Sequence, residues 1–234
     1  DGARFAPEYA GDLSNHLPMA LVALHRLGAD EARLHAFAAG YAQRLQPAPA
    51  AQAWPAGDAW RGRLGDIEAW PVHRSLFSQW IEHEGATDVL QQVLPALMPG
   101  CGAAAFHGPI RVAYAIQGGH LPELADALAY WASRFMPLGD LPAVAGRVRQ
   151  AEPLLRRLPA DRSAQRLISQ RMQDAAPGRA LQAAVAQLAI DASTLEQLAR
   201  LSAKAYAGSG NFTALHLLTA CHAMGVLQVL VDDQ

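Results

Sequence analysis

The 234-residue chain holds 49 alanines but only 21 valine, isoleucine and threonine residues together, and this imbalance restricts its fold more than any other feature. Alanine and leucine lose little on entering a helix, whereas strands favour β-branched and aromatic side chains. No segment alternates apolar and polar residues over a strand's length. The sequence therefore predicts an all-α fold, an irregular multi-helix orthogonal bundle around central apolar helices, in a single domain spanning 1–234. Helices are expected at about 15–28, 30–46, 66–84, 86–98, 101–117, 121–135, 140–157, 161–174, 178–191, 193–207 and 212–231, separated by breakers such as Pro99-Gly100, Gly118-Gly119 and Gly208 to Gly210. There is no convincing internal repeat.

Charge and cysteine content narrow the function. Nineteen basic against 21 acidic residues leave a net charge of −2, too small a field to attract nucleic acid or an anionic membrane surface. Two cysteines, Cys101 and Cys221, exclude a disulfide-rich scaffold and a four-cysteine zinc site. The polar stretch Asp1 to Asp12 carries no readable targeting signal, and the expected location is cytoplasmic.

Three segments stand apart from ordinary amphipathic helices. Phe212 to Val231 runs for 20 residues without Asp, Glu, Lys or Arg. Its histidines and threonines make membrane insertion costly, so it is expected to be a helix buried on all sides. Cys101 to Gln117, with Arg111 as its one formal charge, also reads as a central helix. Residues 136–205 are rich in arginine and free of aromatics, and they read as a peripheral part of the domain, either solvated helix faces or a lid, arm or anion-binding patch.

Nine histidines are present. His25, His35, His73 and His83 sit beside charged residues and read as surface or boundary positions, whereas His16, His107, His216 and His222 lie in apolar surroundings. A buried imidazole must place both ring nitrogens, and a metal is one partner that can satisfy it. His120, after Gly118-Gly119, is either a helix cap or a ligand. Neither the zinc-protease spacing nor a Glu-x-x-His pair is present.

Eighteen of the 19 basic residues are arginine, and the exception is Lys204. It lies among alanines just before Gly208-Ser-Gly-Asn211, so a hairpin of the last two helices would bring it level with His216. A desolvated lysine loses affinity for its proton, and its neutral amine can take up carbon dioxide to become a carbamate, an anionic ligand for a metal otherwise held by imidazoles. The competing reading is a surface lysine whose stem lies along the protein.

Three stretches carry a resemblance: Asn15-His-Leu-Pro-Met-Ala-Leu-Val-Ala-Leu-His-Arg-Leu-Gly28, Phe106-His-Gly-Pro-Ile-Arg-Val-Ala-Tyr-Ala115 and Gly210-Asn-Phe-Thr-Ala-Leu-His-Leu-Leu-Thr-Ala-Cys-His-Ala223. Taken in order, they resemble the questin oxidase-like family, named for fungal enzymes that oxidatively open anthraquinone rings in polyketide biosynthesis. The chain is shorter than the fungal members, chiefly in its aromatic-poor middle. The resemblance implies a helical oxygenase with a non-haem iron centre, acting with dioxygen on an aromatic or polyketide-like small molecule by Baeyer-Villiger type oxygen insertion or oxidative ring cleavage.

Carried onto matching positions, the resemblance implies His16, His107, His216 and His222 as iron ligands, with Lys204, carbamylated or not, just before the last motif. Arg111, one turn after His107, and Tyr114 are the candidate catalytic residues. Arg111 would pair with an anionic substrate oxygen or a second acid, and its alternative is a core arginine. Tyr114, Phe106, Phe212 and Leu215 would exclude water. No nicotinamide fingerprint is present, so NADPH would enter only as a loosely bound or external donor. A homodimer is compatible with this reading. Two alternatives stay open, a metal enzyme of another reaction class and a non-catalytic helical binding protein for an apolar ligand.

Overall fold

A computed structural model describes residues 4–54, 60–140, 142, 144, 146–160 and 162–231. The fold is all-α with one two-stranded ribbon. The ribbon pairs β1 (Glu8–Tyr9) with β2 (Leu13–Ser14) in antiparallel register. Among the described residues ten α-helices follow the first, α1 (Leu17–Arg26): α2 (Glu31–Ala42), α3 (Trp70–Glu84), α4 (Ala86–Leu97), α5 (His107–Gly118), α6 (Leu121–Ser133), α7 (Ala151–Leu155), α8 (Ile168–Ala175), α9 (Arg179–Gln187), α10 (Thr194–Ser209) and α11 (Phe212–Leu227).

The centre of the molecule is α6, whose residues 123–133 are all buried. Proline in its first turn costs no hydrogen bond, and the His120 side chain caps its N-terminus by accepting from the Glu123 amide at 3.1 Å. Helices α3, α4 and α5 surround it, with Trp70, Phe77, Leu94, Leu97, Leu128 and Trp131 in the main apolar cluster. On the far side of α5 lie α1 and α11, and α10 packs on α11.

The helix expected at 101–117 begins six residues late, at His107. Trp131 Nε1 donates to the Gly100 carbonyl at 3.0 Å, and Gly102 donates to the Met136 carbonyl at 3.2 Å. A Cβ on Gly102 would fall 2.8 Å from that same carbonyl oxygen, so only glycine permits this approach. The chain then escapes into α5 through three consecutive left-handed residues, Ala104, Ala105 and Phe106, at φ 47°, 58° and 69°. Each non-glycine residue in that region costs roughly 1–2 kcal/mol. Gly108 then lets α5 press against Trp131, where a Cβ would come within 2.9 Å of the indole.

The expectation of an all-buried terminal helix is corrected. Its buried residues form one stripe, His216, Ala220, Ala223 and Leu227, spaced four, three and four apart. Phe212 remains 62% exposed and Leu217 44% exposed, because one helical stripe suffices to pack on α5.

In the middle of the chain, the helix expected at 140–157 shrinks to α7, and that expected at 161–174 starts at Ile168. Val148 instead exchanges backbone hydrogen bonds with the end of α9 and the chain just beyond it, donating to Gln187 O and accepting from Ala189 N, both at 2.9 Å. Leu141, Ala143, Ala145 and Asp161, which fall in those expected helices, lie outside the described residues. Helices α8 and α9 contain no buried residue, as suits peripheral elements.

Candidate active site

Three of the four apolar-context histidines meet where the start of α1, the start of α5 and the first turns of α11 converge. The His16 and His107 rings lie edge to face with centroids 4.6 Å apart, and His107 and His216 are 4.9 Å apart at 75°. All three line one cavity of about 510 Å³, a size typical of small-molecule sites.

Each ring is set by local backbone. Asn15 aligns the entry to α1, its Oδ1 accepting from the Leu17 amide at 3.0 Å and its Nδ2 donating to Ala6 O at 3.2 Å. The β-ribbon carrying this entry is tied to α6 through Tyr130, whose hydroxyl meets Ser14 Oγ at 2.8 Å and donates to Glu8 Oε1 at 2.9 Å. His107 Nδ1 donates to the Ala104 carbonyl at 2.5 Å, across the left-handed turn. His216 Nδ1 donates to Phe212 O at 2.8 Å, one turn back in its own helix.

A carbonyl can only accept, so Nδ1 carries a proton in both His107 and His216, and the neutral form of either ring has its lone pair on Nε2. His107 Nε2 meets His16 Nε2 at 2.8 Å. Two imidazole nitrogens this close require a proton or another cation between them. Burial, followed by the neighbouring His16, lowers the His107 pKa to about 3, against the pull of the Ala104 carbonyl. His16 is lowered as well, by burial foremost. The pair is therefore neutral near pH 7, with His16 Nε2 donating the shared proton to the His107 Nε2 lone pair, and a cation would have to displace that proton.

A family model described as questin oxidase-like matches residues 13–234 of the chain. The chain belongs to the questin oxidase-like family. Its description suggests an oxygenase-type activity on polyketide-like substrates. No curated protein sequence matches the chain. The matched region contains all three clustered histidines.

The histidine cluster of this questin oxidase-like chain does not gather every residue singled out from the sequence. His222 is exposed on another face of α11, paired with the Gln117 side-chain amide at 3.2 Å, and Tyr114 lies beside it with ring centroids 5.9 Å apart. Arg111 is fully buried and grips Glu123 through Nε at 2.5 Å and Nη2 at 3.1 Å, with Asp126 at 3.9 Å. Burial opposes its charge, and these carboxylates outweigh burial and raise its pKa. It clamps α5 to α6 and does not line the histidine cavity.

Lys204 is also apart. The hairpin of α10 and α11 forms as expected, but His216 faces α5, while Leu217, Ala220 and Cys221 line a second cavity together with Lys204. Lys204 is exposed, so the desolvation on which carbamate formation would depend is not met. His73 is likewise corrected. Far from a surface position, it is fully buried, bonded to Ser133 Oγ at 2.9 Å and to the Trp60 carbonyl at 3.3 Å.

Of the other wall residues of the histidine cavity, Arg134, Glu8 and Asp12 gave no sequence signal, whereas Arg166 belongs to the arginine-rich stretch already singled out. Arg134 pairs with Glu8 through Nε at 2.8 Å and with Asp12 at 2.9 Å. From the peripheral segment come Arg166, Leu167, Ile168 and Gln173, which cover one side of the cavity.

The iron implied by the family can be tested against these side chains. Among the described residues no group of three or more His, Cys, Asp or Glu side chains is assembled to hold a metal. The donor chemistry nevertheless suits a cation. The rings of His107 and His216 have Nδ1 anchored on backbone carbonyls, the pattern that orients metal-binding histidines, and the Nε2 atoms of His107 and His16 stand 2.8 Å apart.

Proposed function

We propose that the protein is a non-haem iron-dependent oxygenase that acts on an aromatic, polyketide-like compound in the histidine cavity, with His16, His107 and His216 as the iron ligands. The observation that carries this reading is the close pair of imidazole nitrogens beside a third anchored histidine, in a cavity of small-molecule size. Family membership supports the reaction class.

Iron, when bound, supplies the one-electron chemistry that lets ground-state dioxygen react with a closed-shell organic molecule. The chain's own residues have separate tasks. The Ala104 and Phe212 carbonyls hold the two ring N–H groups, so His107 and His216 present Nε2 without rotating. His107, with its pKa at about 3, keeps that nitrogen unprotonated through the physiological range. Arg134, neutralised by Glu8 and Asp12, braces the wall. Arg166 at the cavity's edge is the cation to receive a phenolate or quinone oxygen.

Electron balance separates the two outcomes. Inserting one oxygen atom beside a ring carbonyl leaves the second atom of dioxygen to be reduced to water, which takes two electrons and two protons from an external donor such as NADPH. Ring cleavage that keeps both atoms in the product needs no donor.

Metal analysis after expression with iron is the test. Stoichiometric iron, lost in His107→Ala and in His216→Ala, is expected, together with oxygen uptake on adding a hydroxyanthraquinone. Full iron retention by both variants would refute the ligand set. Another metal at stoichiometry with no oxygen uptake would favour a different reaction class.

A further inference from the structure

Beside α11, a second cavity of about 630 Å³ opens between α7, α10 and α11. Its walls are almost wholly apolar, with Leu155, Leu198, Leu201, Leu217 and Met224 around it and Phe106 at its base. Two cysteines, Cys101 and Cys221, also line it, and burial pushes both thiols up, so they are neutral and add to the apolar surface. Leu155 and Leu217, at 42% and 44% exposure, are left facing this space without a partner to cover them.

The rim is different. Lys204 and Arg156 stand at it with Glu152, and an adjoining hollow shares these three and adds Arg200. Arg156 is bound to Glu152 at 2.6 Å and Arg200 to Glu196 at 2.5 Å, each within one helical turn. Lys204 makes no hydrogen bond or ion pair among the described residues, but its charge acts on Glu152, which it shares with Arg156. Three cations against two anions leave one positive charge at the mouth of an apolar chamber.

We infer that this cavity binds an amphipathic monocarboxylate, its hydrocarbon portion between α10 and α11 and its carboxylate at Lys204. The apolar lining removes the chain from water at about 25 cal/mol per Å² of surface covered. The net excess of one positive charge at the rim matches a single anionic head, and the volume holds one ligand of small-molecule size. The site is separate from the histidine cavity and does not depend on the oxygenase reading.

Titration calorimetry of the full chain with dodecanoate tests this, with 1-dodecanol as the uncharged comparison. One saturable site is expected for both. Lys204→Glu should weaken dodecanoate by about tenfold or more while leaving dodecanol unchanged. Ala205→Trp, an exposed lining position, should block both ligands without lowering the melting temperature. His107→Ala should change neither affinity. The inference is overturned by non-saturable uptake of dodecanoate, by equal affinity in wild type and Ala205→Trp, or by loss of binding on His107→Ala with Ala205→Trp unaffected. Equal weakening of acid and alcohol by Lys204→Glu would overturn the carboxylate assignment.

Discussion

The two cavities of this protein differ in how they are made. The histidine cavity is built from helix starts and backbone carbonyls, held by buried polar bonds such as Tyr130–Ser14 and Asn15–Leu17. The cavity beside α10 is built from the sides of helices, with aliphatic walls and one unbalanced charge at its rim. Helix starts fix a side chain in direction, which chemistry requires. Helix sides offer area, which suits retention of an apolar molecule. Chemistry is accordingly expected in the first cavity and simple binding in the second.

The sharpest way to break this contrast is His107→Ala, which should reduce oxygen uptake by at least about 100-fold and empty the iron site. Lys204→Ala should leave both unchanged. If Lys204→Ala also abolished iron binding, the separation of the cavities would fail.

Stability gives the next largest effect. Arg111→Met leaves Glu123 buried without its cation, while Asp126 keeps Arg74 at 2.6 Å, and should cost about 3–5 kcal/mol in denaturant unfolding. The folded fraction should keep its iron, because Arg111 does not line the cavity.

Acid should also act on the histidine side. In the metal-free protein His107 stays neutral down to about pH 3, whereas its unfolded counterpart takes a proton near 6.5. Between those values the unfolded state binds more protons. The contribution is therefore complete above pH 6.5 and falls by up to about 1.4 kcal/mol per unit as pH drops through the window. Asp126, pushed up to about 6 by burial despite Arg111 and Arg74, works in the opposite sense between about 6 and 3.8. The readout is therefore the difference in melting temperature between wild type and His107→Leu, which should narrow with acid.

The smallest effect tests the left-handed turn. Ala104→Gly should raise stability by up to about 1 kcal/mol while lowering iron affinity, because the turn that costs conformational energy also carries the carbonyl that orients His107. A variant that gained both would show that the strain serves no orienting role.

Much of this contrast was legible in the residues. The scarcity of β-branched residues set the helical class, and His16, His107 and His216 stood out by apolar context. His222 shared that context and was misplaced with them, because position along a helix does not tell which face meets which neighbour. The same gap misplaced Lys204, whose level in the hairpin was right and whose facing was not. Arg134 and Glu8, 126 positions apart, had no local signal at all. The late start of α5 was hidden because Gly102 marks close approach only when its neighbour, Met136, is known.

The turn at residues 104–106 has one further consequence. Ala104, Ala105 and His107 face the histidine cavity, while Phe106 faces the other. One short piece of backbone is thus a common partition. A side chain enlarged at 105 therefore narrows the histidine side, and one enlarged at 106 narrows the other, so neighbouring positions in one turn shape two different spaces.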